Sequence, residues 1–131
     1  MGEGWDGGDR LMNTVYGITN CETVKKARAW LDKKSIAYQF HDFKKDGLDK
    51  DTLNTLLKGL DWETLLNRKG TTWRLLPDED KTNVNAKKAA ALMLARPTVI
   101  KRPVLVVGGK IPKYYAGFSE ALYQEIFGAK K

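Results

Sequence analysis

A chain of 131 residues with 42% hydrophobic and 30% charged side chains has the size of one compact core and is too balanced in composition for wholesale disorder. No apolar run reaches the ~18 residues of a membrane-spanning helix, a single cysteine excludes an internal disulfide, and one Cys with one His falls short of a zinc site. The formal charge of +7 is spread over mixed-sign runs such as Lys44-Lys45-Asp46 and short pairs such as Lys87-Lys88, the pattern of solvated faces and not of direct nucleic-acid binding.

The first residues, 1–12, are rich in Gly and Asp without periodicity and read as a flexible leader ahead of a single domain over 13–131. With a lone thiol and no secretory leader pattern, the expected location is the cytoplasm, and the expected state is a monomer.

Residues 14–18 are β-branched, aromatic or apolar and are bounded by Gly17 and Asn20, which predicts a strand. Val24, Ala27, Trp30 and Leu31 recur at helical spacing, predicting a helix over about 22–34. In 36–43, Ile36, Tyr38 and Phe40 alternate with Ala37, Gln39 and His41, the period of a second strand. Strand, helix, strand over so short a span is a βαβ unit with parallel strands and a right-handed crossover. From about 49 to 95 the pattern turns helical, with stripes at Leu53, Leu56, Leu57 and Leu60, at Trp62, Leu65 and Leu66, and at Ala86, Ala89, Ala90, Met93 and Leu94. Residues 67–74 between the last two stripes read as a polar loop. The unbroken run Pro103-Val-Leu-Val-Val107 suits a strand buried on both faces, Gly108-Gly109 a turn, and 110–115 an edge partner strand carrying Pro112. Ser119 is placed to cap a last helix whose face is Leu122, Ile126 and Phe127. This order, βαβ, helical insertion, then hairpin and helix, is that of an α/β thioredoxin-like core with a mixed sheet and an insertion between its halves.

Cys21 falls at the start of the first helix, where free N–H groups and the helix dipole favour a thiolate over a thiol. Lys25 stands one turn on. The alternative is a buried cysteine serving as a small hydrophobe. A CxxC pair is excluded by Ile18 and Val24, and a C-x5-R phosphatase loop by Ala27. His41 belongs at the far end of the second strand and reads as a surface residue. Arg102-Pro103 opens the buried strand; the bond is trans by default, but in a thioredoxin-like fold a cis-proline at this point faces the active-site cysteine, which would bring Arg102 beside the thiol. Arg68, Lys69 and Arg74 form either a solvated loop or an anion clamp.

Four stretches in order, Tyr16-Gly-Ile-Thr-Asn-Cys-Glu-Thr-Val-Lys-Lys-Ala, Leu65-Leu-Asn-Arg-Lys-Gly-Thr-Thr-Trp-Arg74, Ile100-Lys-Arg-Pro-Val-Leu-Val and Gly117-Phe-Ser-Glu120, resemble the ArsC/Spx family, most closely its YffB-type branch. The resemblance runs over about 14–128 and implies a thioredoxin-like fold with a helical insert. It implies that Cys21 matches the nucleophile of the family's arsenate reductases, which pass the oxidised product to glutathione and glutaredoxin. By the same resemblance Arg102 matches the arginine of the family's Arg-Pro, and Arg68 the arginine of its insert. The reductases carry His at the position of Gly17 and Arg at those of Lys25 and Gly117. The Gly117-Phe-Ser-Glu120 stretch is similar to Spx-type regulators, which bind RNA polymerase and sense oxidants through a CxxC that this chain lacks.

The expectation is therefore a glutathione-dependent monothiol reductase. Cys21 is its nucleophile, Lys25, Arg68, Arg102 and Pro103 hold substrate or glutathione, no metal or cofactor is bound, and glutathione with glutaredoxin are the partners. The alternatives are an arsenate reductase proper and an Spx-like regulatory protein that binds RNA polymerase without catalysis.

Overall fold

The computed structural model describes residues 12–128; the leader expected over 1–12 thus lies outside the described residues, Met12 excepted. The chain divides into two compact units, one formed by the segments up to His41 and from Arg102 onward, the other by Asp42–Lys101.

In the first unit, β1 (Thr14–Gly17) buries Val15 and Gly17 and leaves Thr14 and Tyr16 half-buried. The chain then enters α1 (Glu22–Lys33), which buries Val24, Ala27 and Leu31, residues three and four apart on one face. Beyond α1, Ser35 takes a left-handed φ of 59°, its N–H donates to the Asp32 carbonyl at 3.1 Å and that of Ile36 to Leu31 at 2.9 Å. This is a Schellman stop with serine in the position where glycine is usual. Because it carries the chain out of the helix through Ile36, β2 is shorter than the alternation predicts and spans Gln39–Asp42.

β3 (Val104–Val107) and β4 (Lys113–Ala116) complete a mixed four-stranded sheet in the order β2-β1-β3-β4. β1 and β3 are antiparallel with Thr14 opposite Val106 and Tyr16 opposite Val104; β3 and β4 are antiparallel with Val104 opposite Ala116 and Val107 opposite Lys113. The partner strand begins at Lys113 and not at the expected 110. Gly109 turns at φ 150° and Pro112 has no N–H for the ladder, so 108–112 become the hairpin loop. α7 (Glu120–Gly128) starts as expected at Ser119, whose Oγ accepts the Leu122 N–H at 3.0 Å.

The core of this unit is Val15, Ala27, Leu31, Leu105 and Tyr123, with Trp30, Phe118 and Phe127 packed on it. Tyr123 was absent from the expected α7 face yet is fully buried, edge-on to Phe118 at 4.6 Å and to Trp30 at 5.7 Å. Its hydroxyl has no hydrogen-bond partner among the described residues, and burial pushes its pKa well above the ordinary 10.0.

The second unit holds α2 (Lys50–Gly59), α3 (Trp62–Leu65), α4 (Thr71–Arg74), α5 (Asp78–Lys81), α6 (Ala86–Ala95) and a 3-10 turn at Pro97–Val99. Asp49 caps α2 by accepting the Thr52 N–H at 2.8 Å, and Asn85 caps α6 by accepting that of Lys88 at 2.9 Å. Leu53, Leu56, Leu65, Ala89, Met93 and Val99 are buried. The loop expected over 67–74 is helical in its second half, where α4 is held by a 2.8 Å hydrogen bond between the Thr72 and Thr98 hydroxyls. No helix among the described residues is long and apolar enough to cross a membrane.

A Cβ added at Gly17 would lie 2.7 Å from Val24 Cγ2, so α1 rests on β1 with no room for a side chain there. Gly17→Ala is expected to lower stability by about 1–3 kcal/mol in urea unfolding, and Val24→Ala in the same chain to recover part of that loss. Tyr123→Phe removes an unsatisfied buried hydroxyl and is expected to leave stability equal or raise it by up to about 1 kcal/mol. The raised pKa means that the folded state keeps this proton where the unfolded state loses it. Stability is then intact below about pH 10 and falls above it, less steeply in Tyr123→Phe, as unfolding titrations at alkaline pH will show.

Candidate functional site

Cys21 is the N-cap of α1, in extended backbone geometry (φ −149°, ψ 119°), and its side chain makes no capping hydrogen bond. The sulfur is therefore not occupied in holding the helix, and the residue is partly exposed. Its carbonyl does the structural work, accepting the Lys25 N–H at 2.9 Å. The first-turn N–H groups leave partial positive charge at this end of α1; exposed Lys25 adds to it and Glu22 opposes it.

The antiparallel register carries the second part of the site to the same place. Tyr16 near the end of β1 lies opposite Val104 at the start of β3, so the chain leaving β1 toward Cys21 emerges at the sheet end where Arg102-Pro103 enters. The Arg102-Pro103 bond is cis, against the trans default of an isolated X-Pro bond. Pro103 is buried and Arg102 half-buried. Gly117, just past β4, donates its N–H to the Pro103 carbonyl at 2.8 Å, an anchor that sequence reasoning missed. Gly117 takes φ 86°, a left-handed conformation that favours glycine.

Of the expected site residues, Cys21, Lys25, Arg102 and Pro103 thus lie toward the same end of the sheet. Arg68 belongs to the helical unit, where its guanidinium stands over both Trp62 and Trp73 at 5.6 Å from each ring. The two tryptophans flanking it in sequence were the available signal for this stack. Arg74 is turned inward on its own loop, donating to the Lys69 carbonyl at 3.3 Å. His41 lies with its ring 5.0 Å from that of Tyr16. Burial, and secondarily the nearby Tyr114 hydroxyl, push the Tyr16 pKa up. No group of three His, Cys, Asp or Glu side chains among the described residues is arranged to hold a metal ion. Cys21 is thus a partly exposed thiol at the N-terminus of α1, the end of a helix that favours negative charge.

The chain is similar to several known proteins. An uncharacterized protein of Haemophilus influenzae is 40% identical over 116 residues, 88% of this chain and 99% of its own length. A solved structure of a YffB protein superposes with a TM-score of 0.80 at 44% identity, covering 87% of this chain and 97% of that one. An arsenate reductase (ArsC) related protein from Brucella melitensis does so with a TM-score of 0.71 at 50% identity, covering 89% and 95%. The global transcriptional regulator Spx of Streptococcus mutans is 24% identical over 97 residues, 72% of this chain and 70% of its own. The α/β arrangement is accordingly thioredoxin-like. The model of the ArsC family matches residues 16–126, from the end of β1 into α7, so that both the cysteine turn and the Arg-Pro entry fall inside it, and the chain belongs to the ArsC family.

Proposed function

We propose that the chain is a glutathione-dependent monothiol reductase. One observation carries this reading: a lone, partly exposed cysteine at the start of α1, at the sheet end where Arg102 and Pro103 also lie. The Cys21 thiolate attacks the glutathionyl sulfur of a mixed disulfide, the target thiolate leaves, and Cys21 becomes glutathionylated. A second glutathione thiolate then attacks that bond, releasing oxidised glutathione and restoring Cys21. No second cysteine of this chain is available to resolve the intermediate, which is why an external thiol is required. Lys25 and Arg102 hold the glutathione carboxylates and Pro103 shapes the wall beside the sulfur; Arg68 enters this reading through the family resemblance alone. The chemistry belongs in the cytoplasm, with glutaredoxin as a further partner.

Reduction of arsenate by the same thiol is the nearest alternative, since a relative is described as arsenate reductase related. A regulatory role with RNA polymerase as partner is favoured by the Spx relatives and by the Gly117-Phe-Ser-Glu120 stretch. Retention of polymerase capture and of the cellular effect in Cys21→Ala would favour that reading.

The native chain is expected to deglutathionylate a glutathionylated peptide with glutathione as reductant, and to show a single glutathione adduct by intact mass when the second step is starved of thiol. Cys21→Ser is expected to abolish both signals. Turnover that survives Cys21→Ser overturns the proposal, as does a native chain that forms no adduct and turns over only arsenate. Arg102→Leu removes charge-assisted hydrogen bonds worth about 1.5–3 kcal/mol and is expected to raise KM for glutathione on the order of 10- to 100-fold, measured in the same assay.

A further inference from the structure

A groove of about 670 Å³ runs from the outer face of α1 to the segment that opens α7, with Lys26, Trp30, Lys33, Lys34, Phe118 and Ser119 among its lining residues. Phe118 and Ser119 come from the Gly117-Phe-Ser-Glu120 stretch, which the thiol chemistry leaves unused. Lys26, Trp30 and Lys33 stand at i, i+4 and i+7, one stripe of α1. Lys25 beside Cys21 lies about 80–140° around the helix from it. The ammonium groups of Lys26 and Lys33 have no ion pair or hydrogen bond among the described residues. Lys34 lies with its ammonium 5.6 Å above the Trp30 ring. Against these three cations the groove sets one acid, Glu120.

We infer that this groove docks an extended acidic segment of a partner protein. Lys26 and Lys33 are two helical turns apart, about 10 Å along the axis, and carboxylates three residues apart on an extended chain of polyproline II type fall on one face about 9 Å apart. A side chain between those carboxylates meets Trp30 and Phe118, the apolar floor. The floor does not suit a nucleobase. Trp30 is engaged by Tyr123 at 5.7 Å and Phe127 at 6.2 Å and is covered by the Lys34 ammonium. Phe118 is engaged edge-on by Tyr123 at 4.6 Å. What remains is ring edge and flanking charge, which recognises carboxylates and an apolar side chain and not a stacked base. Charge complementarity of this kind sets partner choice and association rate.

The probe is a blocked peptide Ser-Glu-Ser-Phe-Glu-Ser titrated into the full chain and followed by backbone and indole NMR shifts. The expected shifts cluster at Lys26, Trp30, Lys33 and Phe118, and are lost when both Glu of the peptide are Gln. The double variant Lys26→Glu/Lys33→Glu is expected to weaken binding at least about tenfold with the unfolding midpoint unchanged. Lys44→Glu/Lys45→Glu, an equal change of net charge elsewhere, leaves binding intact, as does Cys21→Ser, which separates this surface from the reductase reading. Equal binding of the Gln peptide overturns the proposal, and so does equal weakening by the Lys44/Lys45 variant. Absence of shifts in the groove overturns it as well, as does an oligothymidine that binds there in preference to the peptide.

Discussion

Thr14 with Val106, Val15 with Leu105 and Tyr16 with Val104 are the pairs that hold the two central strands in antiparallel register, and both the core and the site hang on that alignment. Val15 and Leu105 face each other inside the core with Ala27, Leu31 and Tyr123. A slip by one residue would turn one of the two outward. The same slip would displace the chain toward Cys21 from the entry of Arg102-Pro103 by about one strand residue, ~3.3 Å. Packing energy and site geometry are thus set by one ladder of hydrogen bonds.

α1 serves the site and the core with different faces. Val24, Ala27 and Leu31 press it onto the sheet, its N-terminus presents Cys21, and its outer stripe carries the lysines of the groove. The tight seating is possible because Gly17 offers no side chain to Val24. Gly117, left-handed at φ 86°, is a second position where the backbone itself calls for glycine.

Much of this was legible in the sequence because it depends on local pattern. The spacing of Val24, Ala27 and Leu31 marks α1 within a residue of its observed end, Ser119 announces α7, and the run 103–107 marks the central strand. Other features were hidden for definable reasons. Ile36, Tyr38 and Phe40 alternate as a strand would, but alternation reports which side chains pack on the core, not which backbone groups join the ladder, so β2 appeared too long. The Schellman stop at Ser35 lacks the glycine that usually betrays it. α4 is too short to show a period. Tyr123 falls outside the Leu122, Ile126 and Phe127 face, and its burial shows only once three aromatic neighbours are assembled around it. The cis bond before Pro103 is chosen by the tertiary structure, since its local preference points the other way. Cys21, Lys25 and Arg102 were identifiable as candidates, yet nothing in their spacing shows that they share one sheet end; the strand register does.

The stacking of Arg68 on Trp62 and Trp73 has an optical side. Two of the chain's four tryptophans share one cation, and indole emission responds to the charge and solvent next to the ring. An anion that pairs with Arg68 changes the field at both indoles at once, so the helical unit holds an intrinsic fluorescence reporter of occupancy at this arginine that needs no label.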